Sequence, residues 1–155
     1  VYAAVFSPDG EYIVTASEDC TARIWHVESG DCRCTLKGHT KEVYSAVFSP
    51  DGQCVVTASA DNMSRLWSVD SGICLHELVG HHGEVYLATF SGDGSLVLTA
   101  SADKTARLWE TGTGQSRSEL EGHQEEVLRA EFSPDSQLVV TASGDDCAKI
   151  WRVDG

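Results

Sequence analysis

The sequence predicts an all-β fold built from four copies of one small unit. The four tryptophans lie 42 residues apart, at Trp25, Trp67, Trp109 and Trp151. Turn-forming residues recur roughly every ten residues within each unit, which is typical of short strands joined by hairpins. No segment keeps a 3.6-residue apolar period for long enough to form a helix.

The other aromatic residues follow the same period. The phenylalanines are Phe6, Phe48, Phe90 and Phe132, and three of the four tyrosines are Tyr2, Tyr44 and Tyr86. Repetition of this kind indicates a repeat architecture in which each unit is one supersecondary structure. The predicted units are 1–37, 38–79, 80–121 and 122–155, and they form a single segment over residues 1–155.

The second unit illustrates the predicted elements. Pro50-Asp51-Gly52 favours a tight turn, because Pro fixes φ, Asp bonds the local backbone and Gly accepts a positive φ. Four strands are expected, at about 43–48, 54–59, 63–67 and 73–78. Val43 and Ala46 are both expected in the core, and their three-residue spacing breaks strict alternation, so we predict a β-bulge near Tyr44 and Ser45.

Charge and cysteine content narrow the function classes. The formal net charge is −13 with no cluster of Lys or Arg, which argues against nucleic acid and against a basic membrane-binding patch. The apolar runs are too short to cross a membrane. Of the six cysteines only Cys32 and Cys34 are close in sequence, so we expect reduced cysteines, a cytoplasmic protein, and no metal or cofactor.

The units resemble the WD-repeat family of β-propellers over the whole chain. The resemblance is carried by the Gly38-His39 opening, the turn at Ser59-Ala60-Asp61 and the closing Trp67, all of which recur in phase. The sequence departs from the family at the name-giving dipeptide, because no tryptophan is followed by Asp. The residues that follow the tryptophans are His26, Ser68, Glu110 and Arg152.

A set of His, Ser, Asp and Trp residues recurs in three units and could suggest a catalytic triad. A catalytic set is needed once, whereas a structural device is needed in every blade, so we predict a structural hydrogen-bond network and no catalytic residue. The resemblance implies that the Trp indole N–H reaches Ser, Ser reaches His, and His reaches Asp. The predicted members are His39, Ser59, Asp61, Trp67, His81, Ser101, Asp103, Trp109, His123, Ser143, Asp145 and Trp151.

A cation precedes each tryptophan by two residues, at Arg23, Arg65, Arg107 and Lys149. A ring of such cations could bind phosphopeptides. Alternatively, each could pair with a nearby carboxylate, and we favour this interpretation because the cations lie in the middle of a strand rather than in a loop.

The resemblance also implies where a partner would bind. In WD-repeat propellers, partners dock most often on the face where the innermost strands begin. The corresponding residues here combine tyrosines with glutamates, so we predict binding of a protein or a basic peptide. The predicted face comprises Tyr2, Glu18, Glu42, Tyr44, Glu84, Tyr86, Glu126 and Leu128. A competing interpretation is that the tyrosines merely reproduce the repeat.

The ends of the chain leave two arrangements open. Residue 1 is Val and the first unit lacks its Gly-His opening, so we expect a piece of a longer protein with three strands in each of the two end blades. Four blades make half of an eight-bladed ring, and a single blade cannot bury both of its faces. The segment could therefore belong to a longer propeller, or two copies could close one eight-bladed ring as a homodimer.

The function predicted from the sequence is a non-catalytic scaffold for protein or basic-peptide partners. One alternative is a structural module that closes a propeller ring by homo-oligomerisation without a separate ligand. The other is an enzyme that uses the central opening, and we reject it because no unique set of nucleophile, base and oxyanion donors can be identified.

Overall fold

A computed structural model describes residues 1–154 as fifteen β-strands. They form four antiparallel sheets, or blades. Blade 1 contains β1 (Ala3–Phe6), β2 (Tyr12–Ala16), β3 (Thr21–His26) and β4 (Cys32–Lys37). Blade 2 contains β5 (Val43–Phe48), β6 (Cys54–Ser59), β7 (Ser64–Ser68) and β8 (Cys74–Leu78). Blade 3 contains β9 (Val85–Phe90), β10 (Leu96–Ser101), β11 (Ala106–Glu110) and β12 (Ser116–Leu120). Blade 4 contains β13 (Val127–Phe132), β14 (Leu138–Ser143) and β15 (Ala148–Arg152).

Each blade is a meander in which consecutive strands pair with one another. The all-β prediction is confirmed. The expectation of three strands in both end blades is correct for blade 4 and wrong for blade 1, because β4 pairs with β3 through a short hairpin and stays in the first sheet. Gly155, the last residue of the predicted fourth unit, lies outside the described residues.

The strands of blade 2 begin and end within a residue of their predicted positions. The predicted bulge is also confirmed, because the register between β5 and β6 shifts between Val43 and Ser45. This shift turns both Val43 and Ala46 into the core, where each is at most 1% exposed.

The hydrophobic core lies between neighbouring blades. Ile24 and Leu36 of blade 1 pack in one cluster with Phe48 and Trp67 of blade 2, and matching clusters join the later blades. The four sheets formed by residues 1–154 do not close into a ring. The outer faces of the end blades therefore expose apolar side chains, among them Phe6 and Val27 on blade 1 and Val140 and Ile150 on blade 4.

The junctions between blades differ at their outer rim. Arg33 of blade 1 binds Asp70 of blade 2 at 3.0 Å, and Arg117 of blade 3 binds Asp154 of blade 4 at 2.9 Å. The corresponding positions at the junction of blades 2 and 3 are Leu75 and Gly112, which cannot form an ion pair. This middle junction therefore lacks the ion pair that joins the others.

None of the six cysteines is in a disulfide. Among residues 1–154, no helix is long and apolar enough to span a membrane, and no group of three or more His, Cys, Asp or Glu side chains is arranged to hold a metal ion.

Candidate protein-binding face and its supporting network

A buried hydrogen-bond relay links the inner loop of each complete unit to its tryptophan. In blade 2, the indole N–H of Trp67 donates to Thr57 Oγ1 at 2.9 Å. Thr57 Oγ1 lies 2.7 Å from His39 Nε2, and His39 Nδ1 lies 2.8 Å from Asp61 Oδ2. With the proton of His39 on Nδ1, the donors of Trp67, Thr57 and His39 in this relay each meet an acceptor.

The same relay recurs in blades 3 and 4 with Thr99 and Thr141 in the threonine position. In blade 1, the indole of Trp25 donates to Thr15. The recurrence places His81, Asp103, Trp109, His123, Asp145 and Trp151 as the relay members of the later blades.

The predicted role of serine in the relay is wrong. Ser59 lies on the same strand as Thr57 but two residues further along, and its hydroxyl donates to the Lys41 carbonyl and accepts from the Asp61 backbone N–H. Ser101 and Ser143 make the same two contacts in their blades. The serines thus fix the turn that presents the aspartate, while the threonines bond to the histidine.

The relay aspartates are held in the ionised form. Burial would raise the pKa of Asp61, but hydrogen bonds from His39 and from the Thr40 and Met63 backbone amides outweigh it and hold the pKa well below its usual range. For Asp145, the backbone N–H of Gln124 is the largest influence, and together with the bond from His123 it lowers the pKa to about 2.

The cations before the tryptophans are mostly paired with carboxylates. Arg65 binds Asp61 at 3.1 Å and Glu77 at 3.0 Å. Arg23 pairs with Asp19 and Arg107 with Glu119, each at 2.7 Å. Lys149 differs, because its ammonium group donates to the backbone carbonyl of Gly122. Within the described residues, the pairing of the three arginines leaves no ring of unpaired cations.

The predicted face comes together as an arc of tyrosines, which we call the Tyr arc: Tyr2, Tyr44 and Tyr86. The ring centroids of Tyr2 and Tyr44 are 5.5 Å apart, and those of Tyr44 and Tyr86 are 5.9 Å apart. The three side chains stand at the start of β1, β5 and β9, so blades 1, 2 and 3 each contribute one ring to a continuous surface, and blade 4 has Leu128 at this position.

Two glutamates of the face, Glu84 and Glu126, each bond to the tyrosine of the preceding blade. The Tyr44 hydroxyl donates to Glu84 Oε2 and the Tyr86 hydroxyl donates to Glu126 Oε2, both at 2.9 Å. Burial, followed by these hydrogen bonds, raises the pKa of both tyrosines to about 12. The hydroxyls are therefore neutral donors near pH 7.

The remaining predicted residues border this arc. The pKa of Tyr2 is raised, most by burial and then by the negative charges of the nearby Glu18 and Glu42. The backbone carbonyls of Glu42, Glu84 and Glu126 accept hydrogen bonds from the turns of their own blades, which fixes the loop that carries each glutamate.

A cavity of about 560 Å³ opens at the end of the arc. It is lined by Tyr2, Tyr44, Tyr86, Glu126, Leu128 and Arg129. The sequence analysis did not single out Arg129, which directly follows the bulge at Leu128 in β13, pairs with Ala142, and is the only cation in this lining. Its position could have been found only by extending the predicted bulge of Tyr44 and Ser45 to the fourth unit.

Repeated antiparallel blades of three or four strands, packed face to face around an inner row of strands and held in blades 2 to 4 by a buried polar relay, define a β-propeller scaffold. The sequence matches the family described as "WD domain, G-beta repeat" at residues 1–26, 30–68, 72–110 and 114–152. The chain therefore belongs to the WD-repeat family.

Individual relatives match over about one repeat. A stretch of 37 residues, 24% of this chain, is 49% identical to WD repeat-containing protein 86 of Homo sapiens. Another of 43 residues, 28% of this chain, is 44% identical to the nuclear distribution protein nudF of Aspergillus flavus. Each match covers 10% of the relative, so this chain corresponds to a small part of both proteins.

Proposed function

We propose that this chain is a non-catalytic scaffold that binds a protein or basic peptide through the Tyr arc and its glutamates. WD-repeat proteins are typically protein-interaction scaffolds. The single observation that carries the assignment to this face is the contiguous row of three tyrosine rings, spaced 5.5 and 5.9 Å apart.

The chemistry of the face favours a cation. The faces of the tyrosine rings attract Lys and Arg side chains, and the carboxylates of Glu84 and Glu126 keep lone pairs free beyond those that accept the tyrosine hydroxyls. The hydrogen bonds hold the rings in place before a partner arrives, which reduces the conformational entropy lost on binding. Arg129 at one end disfavours a second cation there and so gives a bound peptide a preferred direction.

The test compares two peptides of equal length, one rich in Lys and Arg and one with Glu at the same positions. Fluorescence anisotropy should show binding of the basic peptide only. Tyr44→Ala combined with Tyr86→Ala should weaken binding at least tenfold while the circular dichroism spectrum is unchanged.

Tyr12→Ala is the matched control, because Tyr12 lies off the arc and its hydroxyl accepts from Arg33. Unchanged affinity in the double variant would overturn the proposal, as would an equal loss in the control.

We also propose that the protein acts in the cytoplasm, where its cysteines stay reduced. Attachment of a thiol reagent to the protein in intact cells tests this.

A second candidate function is closure of an eight-bladed ring by two copies. It is favoured by the match between the exposed end faces: Ile150 occupies in its unit the position of Ile24, and Phe6 occupies the position of Phe48. Ile24 and Phe48 pack together between blades 1 and 2. By the same geometry, Phe6 in blade 1 of a second copy would pack against Ile150 in blade 4. Light scattering tests it: a stable mass twice 16.7 kDa, lost in Ile150→Asp, is expected for the ring, and a monomer at all concentrations contradicts it.

A further inference from the structure

A separate group of exposed apolar residues lies along the outer strand of blade 2, with Leu75 inside β8 and Ile73 and Val79 directly flanking it. Ile73, Leu75 and Val79 are 63%, 45% and 66% exposed. Blade 1 has Asp31, Arg33 and Lys37 at these positions, and blade 3 has Gln115, Arg117 and Glu121. The apolar group is thus specific to blade 2 and is not a consequence of repetition.

Leu75 occupies the bulge of its strand. The register between β7 and β8 shifts between Leu66 and Trp67, which leaves Leu75 outside the regular pairing. Arg33 and Arg117 occupy the same bulge in β4 and β12, and from there they reach the neighbouring blade. Leu75 makes no such bond, so the rim between blades 2 and 3 presents an apolar side chain instead of an ion pair.

The outer edge of β8 is also the least protected edge of its kind. Within residues 1–154, β8 pairs with β7 alone, and the same is true of β4 with β3 and β12 with β11. Proteins commonly protect such edges with charged side chains. The one carboxylate within β8 is that of Glu77, and it is bonded to Arg65.

We propose that β8 binds an extended segment of a partner protein, which adds to blade 2 as a fifth strand. In strand addition the main-chain hydrogen bonds supply affinity and alternate side chains supply specificity. Apolar side chains of the segment would contact Ile73 and Leu75, and basic residues between them would suit the −13 charge of the chain.

A second copy of this chain fits the site less well. Three exposed side chains provide far less area than the roughly 1,200 Å² that a stable protein interface buries in total. Two copies would also bring together chains that each carry −13. A short, basic, extended segment avoids both difficulties.

The test uses a synthetic seven-residue peptide with alternating Val and Lys, and a control peptide of the same sequence that is N-methylated at alternate amides and cannot pair. Both are added to the Tyr44→Ala, Tyr86→Ala background, so that binding at the Tyr arc does not contribute. Hydrogen exchange should slow across β8 with the first peptide and not with the control.

Two variants exchange the residues of blades 1 and 2. Ile73→Asp with Leu75→Arg and Val79→Lys gives β8 the side chains that β4 already carries, and should reduce peptide affinity at least tenfold. Asp31→Ile with Arg33→Leu and Lys37→Val should create a second protected strand at β4. Circular dichroism checks that both variants fold.

Three results would overturn the proposal. Equal affinity for the original chain and the β8 variant would show attraction by charge alone. Protection confined to strands other than β8 would place the site elsewhere. The third result is protection of β8 in the absence of peptide that increases with protein concentration and is accompanied by a doubled mass. It would show that a second copy, and not a partner segment, occupies the strand.

Discussion

Replacing Thr57 by Val tests the relay at the link that the sequence did not predict. The two side chains have nearly the same volume, so the change removes the hydroxyl and little else. The indole N–H of Trp67 then loses an acceptor at 2.9 Å and His39 Nε2 loses a partner at 2.7 Å. Trp67 and His39 are 2% and 7% exposed, so water cannot readily replace the hydroxyl.

Each buried polar group left without a partner costs about 1–3 kcal/mol, so the loss of partners for two groups should lower the free energy of unfolding by about 2–6 kcal/mol. For a chain of this length that corresponds to a melting temperature lower by about 4–24 °C. Thermal and urea unfolding followed by tryptophan fluorescence measures both quantities.

Thr15→Val is the matched control. Thr15 accepts from the indole of Trp25 in blade 1, and no histidine bond to Thr15 is present among the described residues. The control should therefore cost less than Thr57→Val. Equal losses in the two variants, or a loss below about 0.5 kcal/mol at Thr57, would refute the reasoning.

Three further predictions concern the middle junction and the titrating groups. Ser64 is fully buried with no hydrogen-bond partner for its hydroxyl in the described structure, at a position where the other units have Ala, so Ser64→Ala should raise the free energy of unfolding by about 1–3 kcal/mol in urea titrations. Hydrogen bonds from Ser91 and from the Gln124 backbone lower the pKa of Asp93 and Asp145, respectively, to about 2. Because the unfolded chain takes up these protons near pH 3.8, melting temperature should hold above about pH 4 and fall as pH drops towards 2. At alkaline pH the unfolded chain loses tyrosine protons first, because the pKa of Tyr44 and Tyr86 is raised from 10.0 to about 12. Stability should therefore fall from pH 10 to 12, and absorbance at 295 nm should show these two ionising late; ionisation near pH 10 in the folded protein would contradict the Tyr–Glu bonds.

The site was predicted in part. The Tyr arc and its glutamates follow from the 42-residue period, because one repeat position maps to one place in every blade. Arg129 and Leu75 interrupt that period, and their importance depends on the bulges that place them at the cavity and at the rim. A repeat comparison emphasises what the units share, so it passes over residues that occur once.

The sequence by itself determined the all-β fold, the strands of blade 2 to within a residue, and the bulge in β5, since these depend on local turn chemistry and on alternation along the chain. Only the tertiary structure decided that Thr57 rather than Ser59 bonds to His39. Both hydroxyls lie on one face of β6, and the choice depends on how the loop carrying His39 folds across that strand. Contacts between residues 18 positions apart are set by packing of the loop on the blade, and no periodicity in the sequence encodes them.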